Sequence, residues 1–151
     1  MKSKILFIED NKTKAEAVKN FVLDNFEIED ITIKESFTSG LRELFTNKFD
    51  ILFVDMSLPT REGISSNTIN NFEQLGGHKI MSEMKRKKLF LPTILITMFS
   101  EFGVGKSFMD INELDEILSG EFGDFYKGYI YYSSQEESWK ENLKISLEKL
   151  I

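Results

Sequence analysis

Carboxylates at the ends of short apolar runs are the residues in this sequence best placed to do chemistry. Glu9 and Asp10 follow Ile5-Leu6-Phe7-Ile8, Asp55 follows Ile51-Leu52-Phe53-Val54, and Thr97 closes the run Thr93-Ile94-Leu95-Ile96. In an open α/β sheet, ligands bind beyond the carboxyl ends of the strands. If the first and third apolar strands are neighbours, three carboxylates meet at one sheet edge, which is costly without a cation. Oxygen-only ligands with room for water suit Mg2+, which commonly takes one or two carboxylates together with phosphate oxygens. Such an ion would also offset the repulsion between a carboxylate nucleophile and an incoming phosphoryl group, the product being an acyl phosphate. Any one of these acids taken alone reads as a solvated turn residue. Three at matching strand ends favour a site.

The elements that must hold these residues are legible from periodicity. Continuous apolarity over Ile5 to Ile8, Ile51 to Val54 and Thr93 to Thr97 implies strands buried on both faces, as in a parallel sheet covered by helices. Ile31 to Ile33 and Gly128 to Tyr132 are weaker strand signals. Between them the period becomes helical: Ala15, Val18 and Val22 after an Asn11 cap; Leu41, Leu44 and Phe45 after Thr38; Ile80 and Met84; Ile111, Leu114 and Leu118 after Asp110; and Trp139, Leu143, Leu147 and Leu150. Ser134-x-x-Glu137 reads as a capping box before the last helix. Strand and helix alternate about five times, which predicts a doubly wound α/β domain with a five-stranded parallel sheet. Residues 1–151 are expected to form one domain, with longer connections near 64–76 and 99–127.

Composition narrows the chemistry. The chain of 151 residues has no Cys and one His, which excludes disulfide scaffolds, thiolate zinc sites, cysteine nucleophiles and multi-histidine metal centres. A net charge of -6 argues against nucleic acid as the partner. The apolar start ends at Glu9-Asp10, too early for a signal peptide, and no run is long enough to span a membrane, so a cytoplasmic location is expected.

The segments Ile5-Leu6-Phe7-Ile8-Glu9-Asp10-Asn11, Asp50 to Gly63 with its Asp55-x-x-Leu58-Pro59-x-x-x-Gly63 core, and Ile94-Leu95-Ile96-Thr97 together resemble the receiver domain of two-component response regulators, over essentially the whole chain. The resemblance implies a flavodoxin-like sheet order. It also implies roles. Asp55 matches the phosphoacceptor, Asp10 a direct Mg2+ ligand and Glu9 the other acid of the pocket. Ser57 matches the backbone carbonyl that binds the metal. Thr97 matches the hydroxyl that swings toward the phosphoryl group, and Tyr129, after Gly128, the aromatic that changes rotamer with it. Pro59 and Gly63 match the shape of the loop after the acceptor.

The sequence departs from that family in two places. Three residues after the aromatic the family has Lys, then Pro; here stand Tyr132 and Ser133. Lys127 and Lys106 are the substitutes considered for the missing amine, each requiring a different local path to bring charge within about 4 Å of the acceptor. The residue after Thr97 is small in the family, whereas Met98 and Phe99 here restrict access.

Other signals read more simply. Gly103-Val104-Gly105-Lys106-Ser107 lacks the first glycine of a phosphate loop. Lys85 to Lys88 suits the negative end of a helix, His78 beside Gly76-Gly77 suits a surface turn, and Trp139 suits core packing. Phe99, Phe102, Phe108, Phe122 and Phe125 read as packing of the long connection onto the sheet, the alternative being an interaction patch formed by an exposed subset.

The expected function is that of an atypical receiver in a phosphorelay. It would take a phosphoryl group on Asp55 with Mg2+ from a histidine kinase or phosphotransfer protein, and act on a downstream protein target through the fourth and fifth helical segments and fifth strand. It would not be an enzyme turning over a metabolite. A pseudo-receiver, working without phosphate as an interaction or homodimerisation module, is the alternative. A small phosphate-ester hydrolase shares the carboxylate logic but lacks a second acid-base residue.

Overall fold

The computed structural model describes residues 2–59, 72–73, 76–102 and 109–151. The strands are β1 (Ser3–Ile8), β2 (Ile28–Lys34), β3 (Ile51–Val54), β4 (Thr93–Thr97) and β5 (Tyr126–Tyr131). The helices are α1 (Lys12–Asn25), α2 (Phe37–Thr46), α3 (Gly76–Arg86), α4 (Ile111–Phe122) and α5 (Ser138–Glu148). All five strands lie in one parallel sheet of order β2-β1-β3-β4-β5. This is the flavodoxin-like, doubly wound arrangement that the alternating pattern predicts.

Strand residues divide by parity between two packed layers, as the two-residue period of a strand requires. Leu6, Ile8, Leu52, Val54 and Leu95 face Leu44, Ile80, Met84, Leu114 and Leu118 from α2, α3 and α4. Ile5, Phe7, Ile51, Phe53, Ile94 and Ile96 face Val18 and Val22 of α1 and Trp139, Leu143 and Leu147 of α5. Phe7 and Phe53 meet edge to face with centroids 5.7 Å apart. Trp139 is buried against Tyr132 and Phe21, in keeping with the core role its spacing suggests.

Several boundaries differ from the sequence reading. Asn11 and Asp110 cap α1 and α4 as expected, accepting from the Lys14 and Glu113 amides. Helix α2 starts earlier, because Ser36 rather than Thr38 provides the cap and exchanges bonds with Ser39. The Ser134 to Glu137 capping box does not form. Helix α5 begins at Ser138, Glu137 makes no capping hydrogen bond and pairs with Lys140 instead, and residues 133–137 cross from the sheet to the place where Trp139 seats. β5 begins two residues early, and its register against β4 slips between Thr93 and Leu95. Gly128, at φ +110, takes up that slip in a backbone region where a Cβ is strained.

His78 is not a turn residue. It lies in the first turn of α3, where Gly76 and Gly77 are helical, with its Nε2 2.9 Å from Glu121 Oε2. Lys85 and Arg86 do fall in the last turn of α3, and Lys85 Nζ donates to the Glu121 carbonyl in the last turn of α4. The long connections contain short antiparallel ladders, Leu58–Pro59 with Phe72–Glu73 and Glu101–Phe102 with Met109–Asp110. Gly63, most of the 64–76 connection, Gly103 to Ser107 and Phe108 lie outside the described residues. Among the described residues no helix is long and apolar enough to cross a membrane.

Candidate functional site

Sheet register assembles the site. Ile8 is opposite Val54 in the β1–β3 ladder, so the next residues, Glu9 and Asp55, emerge side by side at the carboxyl edge. Val54 is opposite Leu95, which brings the Ile96 carbonyl to the same edge. Glu9 and Asp55 are 1% and 3% exposed, a burial that two carboxylates sustain only with compensation.

That compensation is Lys14, a residue the sequence reading did not single out. It projects from the first turn of α1, is 1% exposed, and places Nζ 2.6 Å from Glu9 Oε1, 2.9 Å from Asp55 Oδ2 and 2.7 Å from the Ile96 carbonyl oxygen. The contact with Glu9 Oε1 is an ion pair lying off hydrogen-bond alignment, and that oxygen has no hydrogen-bond partner. Glu9 Oε2 accepts from the Asn11 amide at 3.0 Å, and Asp55 Oδ1 from the Met56 amide at 2.7 Å. The signal was available. Lys14, Val18 and Val22 share one i, i+4, i+8 stripe, so an inward-facing α1 carries Lys14 toward the sheet edge.

The charges respond to this crowding. Burial, joined by the negative charge of Asp55, pushes the Glu9 carboxyl up to about 7 against the opposing pull of Lys14. Asp10 is also raised, by burial first and then by Asp55. Burial alone would discharge Lys14, but Asp55 and Glu9 together outweigh it and hold the ammonium above its ordinary value.

Glu9 and Asp55 close on Lys14, and Asp10 joins both in lining a cavity of about 160 Å³ with Asn11, Ser57, Met98 and Phe99. Among the described residues no three His, Cys, Asp or Glu side chains form a ready metal cage. A hydrated Mg2+ does not need one, since one or two carboxylates and several waters suffice. The donors fit. Asp10, Asp55 and Ser57 border a space roomy enough for an ion with waters, and three carboxylates against one ammonium leave the charge a divalent ion would cancel.

Met98 and Phe99 form part of the wall, 38% and 46% exposed. Thr97 is fully buried and its Oγ1 accepts from the Phe99 amide at 3.2 Å. The Tyr129 hydroxyl donates to Asn112 on α4 at 3.1 Å. Tyr132 is buried against Trp139 with centroids 5.1 Å apart. Lys127 is exposed, and Lys106 lies outside the described residues. The amine that the described residues bring to Asp55 is that of Lys14.

Gly77 packs against the backbone of Asp55 on its other side. A Cβ there would lie 2.6 Å from the Asp55 carbonyl oxygen and 3.1 Å from Met56 Cα, and the Gly77 amide donates to the Met56 carbonyl at 3.1 Å. Gly77→Ala must push α3 from the Asp55-Met56 backbone and is expected to cost about 1–3 kcal/mol. Gly120→Ala, where a Cβ meets nothing within 4 Å, should instead stabilise by about 0.4–1 kcal/mol. Urea unfolding of both variants checks the pair, and equal effects would refute the steric argument.

No family model matches the chain. It is 33% identical over 144 residues to the Detocs response regulatory protein DtcB of Enterobacter cloacae (strain JD6301), covering 93% of this chain and 95% of that protein. Among solved structures, the signal receiver domain of an HD domain-containing protein from Pseudomonas fluorescens Pf-5 superimposes with a TM-score of 0.68 at 13% identity, over 99% of this chain and 94% of that one. The response regulator TrrA from Thermotoga maritima, in complex with Mg2+ and BeF, gives a TM-score of 0.64 at 21% identity over 100% of both chains. These structural likenesses speak for the fold. The kinship with DtcB, running almost end to end through both sequences, adds descent to that shared fold and makes this chain a member of the response-regulator receiver family of two-component signalling.

Proposed function

We propose that the chain acts as one receiver-like unit that accepts a phosphoryl group on Asp55, with Mg2+ held by Asp10, Asp55 and the Ser57 carbonyl. The observation that carries this reading is the placement of Asp55, a buried carboxylate with each oxygen held by a donor and a cavity of about 160 Å³ beside it. Bound Mg2+ would supply charge neutralisation for the incoming phosphoryl group. The residues do the rest. An Asp55 oxygen forms the bond to phosphorus, the bond from phosphorus to the donor breaks, and the donor leaves with the electron pair. Glu9 and Asp10 keep the pocket attractive to a cation, and Met98 and Phe99 limit the donors that can enter.

The donor in this reading is a histidine kinase or phosphotransfer protein in the cytoplasm, and the product is the modified protein rather than a released metabolite. Output runs through contacts with another protein. Ile117 on α4, Tyr131 on β5 and Ile145 on α5 offer large exposed apolar side chains for it.

The test is intact mass after incubation with Mg2+ and a small acyl-phosphate donor, with Asp55→Asn and a chelator as controls. One phosphate on the wild-type chain and none on either control is expected. No adduct under conditions that modify an ordinary receiver would overturn the proposal. A specific observation keeps the pseudo-receiver as the second reading: Lys14 already compensates Glu9 and Asp55, so the pocket is partly neutralised with no ion or phosphate.

A further inference from the structure

We propose that Lys14, reaching in from α1, is the ammonium that acts on the acceptor carboxylate in this chain, so that the chemistry at Asp55 is tied to α1 instead of to β5. This rests on the reading of Asp55 as phosphoacceptor. The end of β5 carries no amine for the task, because Tyr132 is buried against Trp139. Lys14 Nζ meets one oxygen acceptor from each of the three adjacent strand ends, Glu9 after β1, Asp55 after β3 and Ile96 in β4. The ammonium donates to Asp55 and to the Ile96 carbonyl and faces Glu9 as an ion pair.

A structural role alone accounts poorly for this placement. Replacing a buried ion cluster by well-packed apolar residues is often neutral or stabilising, so fold stability does not call for a lysine with two carboxylates. The acceptor does. An ammonium 2.9 Å from Asp55 Oδ2 offsets the negative charge that an incoming phosphoryl group would meet. Once the oxygen–phosphorus bond has formed and the donor has left with its electron pair, the same ammonium is placed to hold a phosphoryl oxygen, a charge-assisted bond stronger than a neutral one. Any shift of Lys14 toward the phosphoryl group pulls on the first turn of α1. Phe21, on that helix, packs edge to face on Trp139 at 5.4 Å, and Trp139 is the single tryptophan of the chain. Its emission therefore reports on α1.

The same geometry makes Lys14 a competitor of a divalent ion for the charge of Asp55. Removing it should move two readouts in opposite directions. Lys14→Met is expected to take up phosphate from a small acyl-phosphate donor at least about tenfold more slowly than wild type. It should bind Mg2+ more tightly in calorimetric titration, and it should lose the change in Trp139 emission on phosphorylation. A merely structural lesion would weaken uptake and Mg2+ binding together. Where far-ultraviolet circular dichroism shows Lys14→Met unfolded, Lys14→Gln, which keeps a donor without the charge, carries the same comparison.

Uptake by the variant at the wild-type rate overturns the assignment, and so does a parallel fall in both readouts. A wild-type chain that takes no phosphate overturns the reading of Asp55 instead. In that case the Mg2+ titration decides alone: tighter binding by the variant upholds Lys14 as the competing cation of the pocket, and unchanged or weaker binding removes it.

Discussion

Lys14→Met is expected to lower the unfolding free energy by about 3–5 kcal/mol, the usual cost of removing one partner from a buried ion cluster. The substitution fills the space but leaves Glu9 and Asp55, 1% and 3% exposed, facing each other without a counter-charge. Glu9→Gln alone should cost far less, about 1 kcal/mol, the net worth of a typical hydrogen bond. Burial holds the Glu9 carboxyl above the usual carboxylate range against the pull of Lys14, and in the Gln variant Lys14 retains Asp55 and the Ile96 carbonyl. The double variant has one buried carboxylate to accommodate instead of two. Its loss should therefore fall short of the sum of the single losses by more than about 1 kcal/mol, well beyond the scatter of independent sites. Urea unfolding of the four proteins in chelator measures this cycle. Additivity within about 0.5 kcal/mol would show that Lys14 and Glu9 do not interact energetically, whatever their separation.

That coupling also marks the limit of what the sequence made legible. β1, β3 and β4 were readable because strands buried on both faces have few sequence alternatives, and the register of Ile8 opposite Val54 then places Glu9 beside Asp55 with no further information. β2 was read short, since only Ile28 and Ile31 of it are buried and the remainder carries the mixed pattern of an edge strand. Lys14 escaped because lysine near a helix start reads as a solvated charge. Its burial depends on carboxylates five and 41 positions away, and only the assembled sheet brings them to it. The Ser134-x-x-Glu137 pattern misled for the opposite reason. A local motif was present, but tertiary packing of Trp139 decided where α5 begins. Asp10 was placed at the right edge, and it lines the same cavity as Glu9 and Asp55.

Trp139→Ala should cost about 3–5 kcal/mol, the range for removing a large buried aromatic side chain. Trp139 is 4% exposed and touches two elements besides its own: Phe21 of α1 at 5.4 Å and an interplanar angle of 68°, and Tyr132 just past β5 at 5.1 Å. Its position in the first turn of α5 adds to the effect, because Glu137 gives that helix no side-chain capping bond and the turn is held by packing instead. Trp139→Phe keeps a ring in the same place and should lose less than half as much. Unfolding in urea followed by circular dichroism tests both, and an alanine variant that loses under about 1 kcal/mol would remove Trp139 from the core. The prediction bears on the site through Tyr132. At the position where related receivers carry a lysine, this chain has an aromatic that anchors α5 beside α1, and the amine has moved to α1 itself. Packing at one end of that interface and charge at the other act on the same helix, so Trp139→Ala should also loosen the element that holds Lys14 against Asp55.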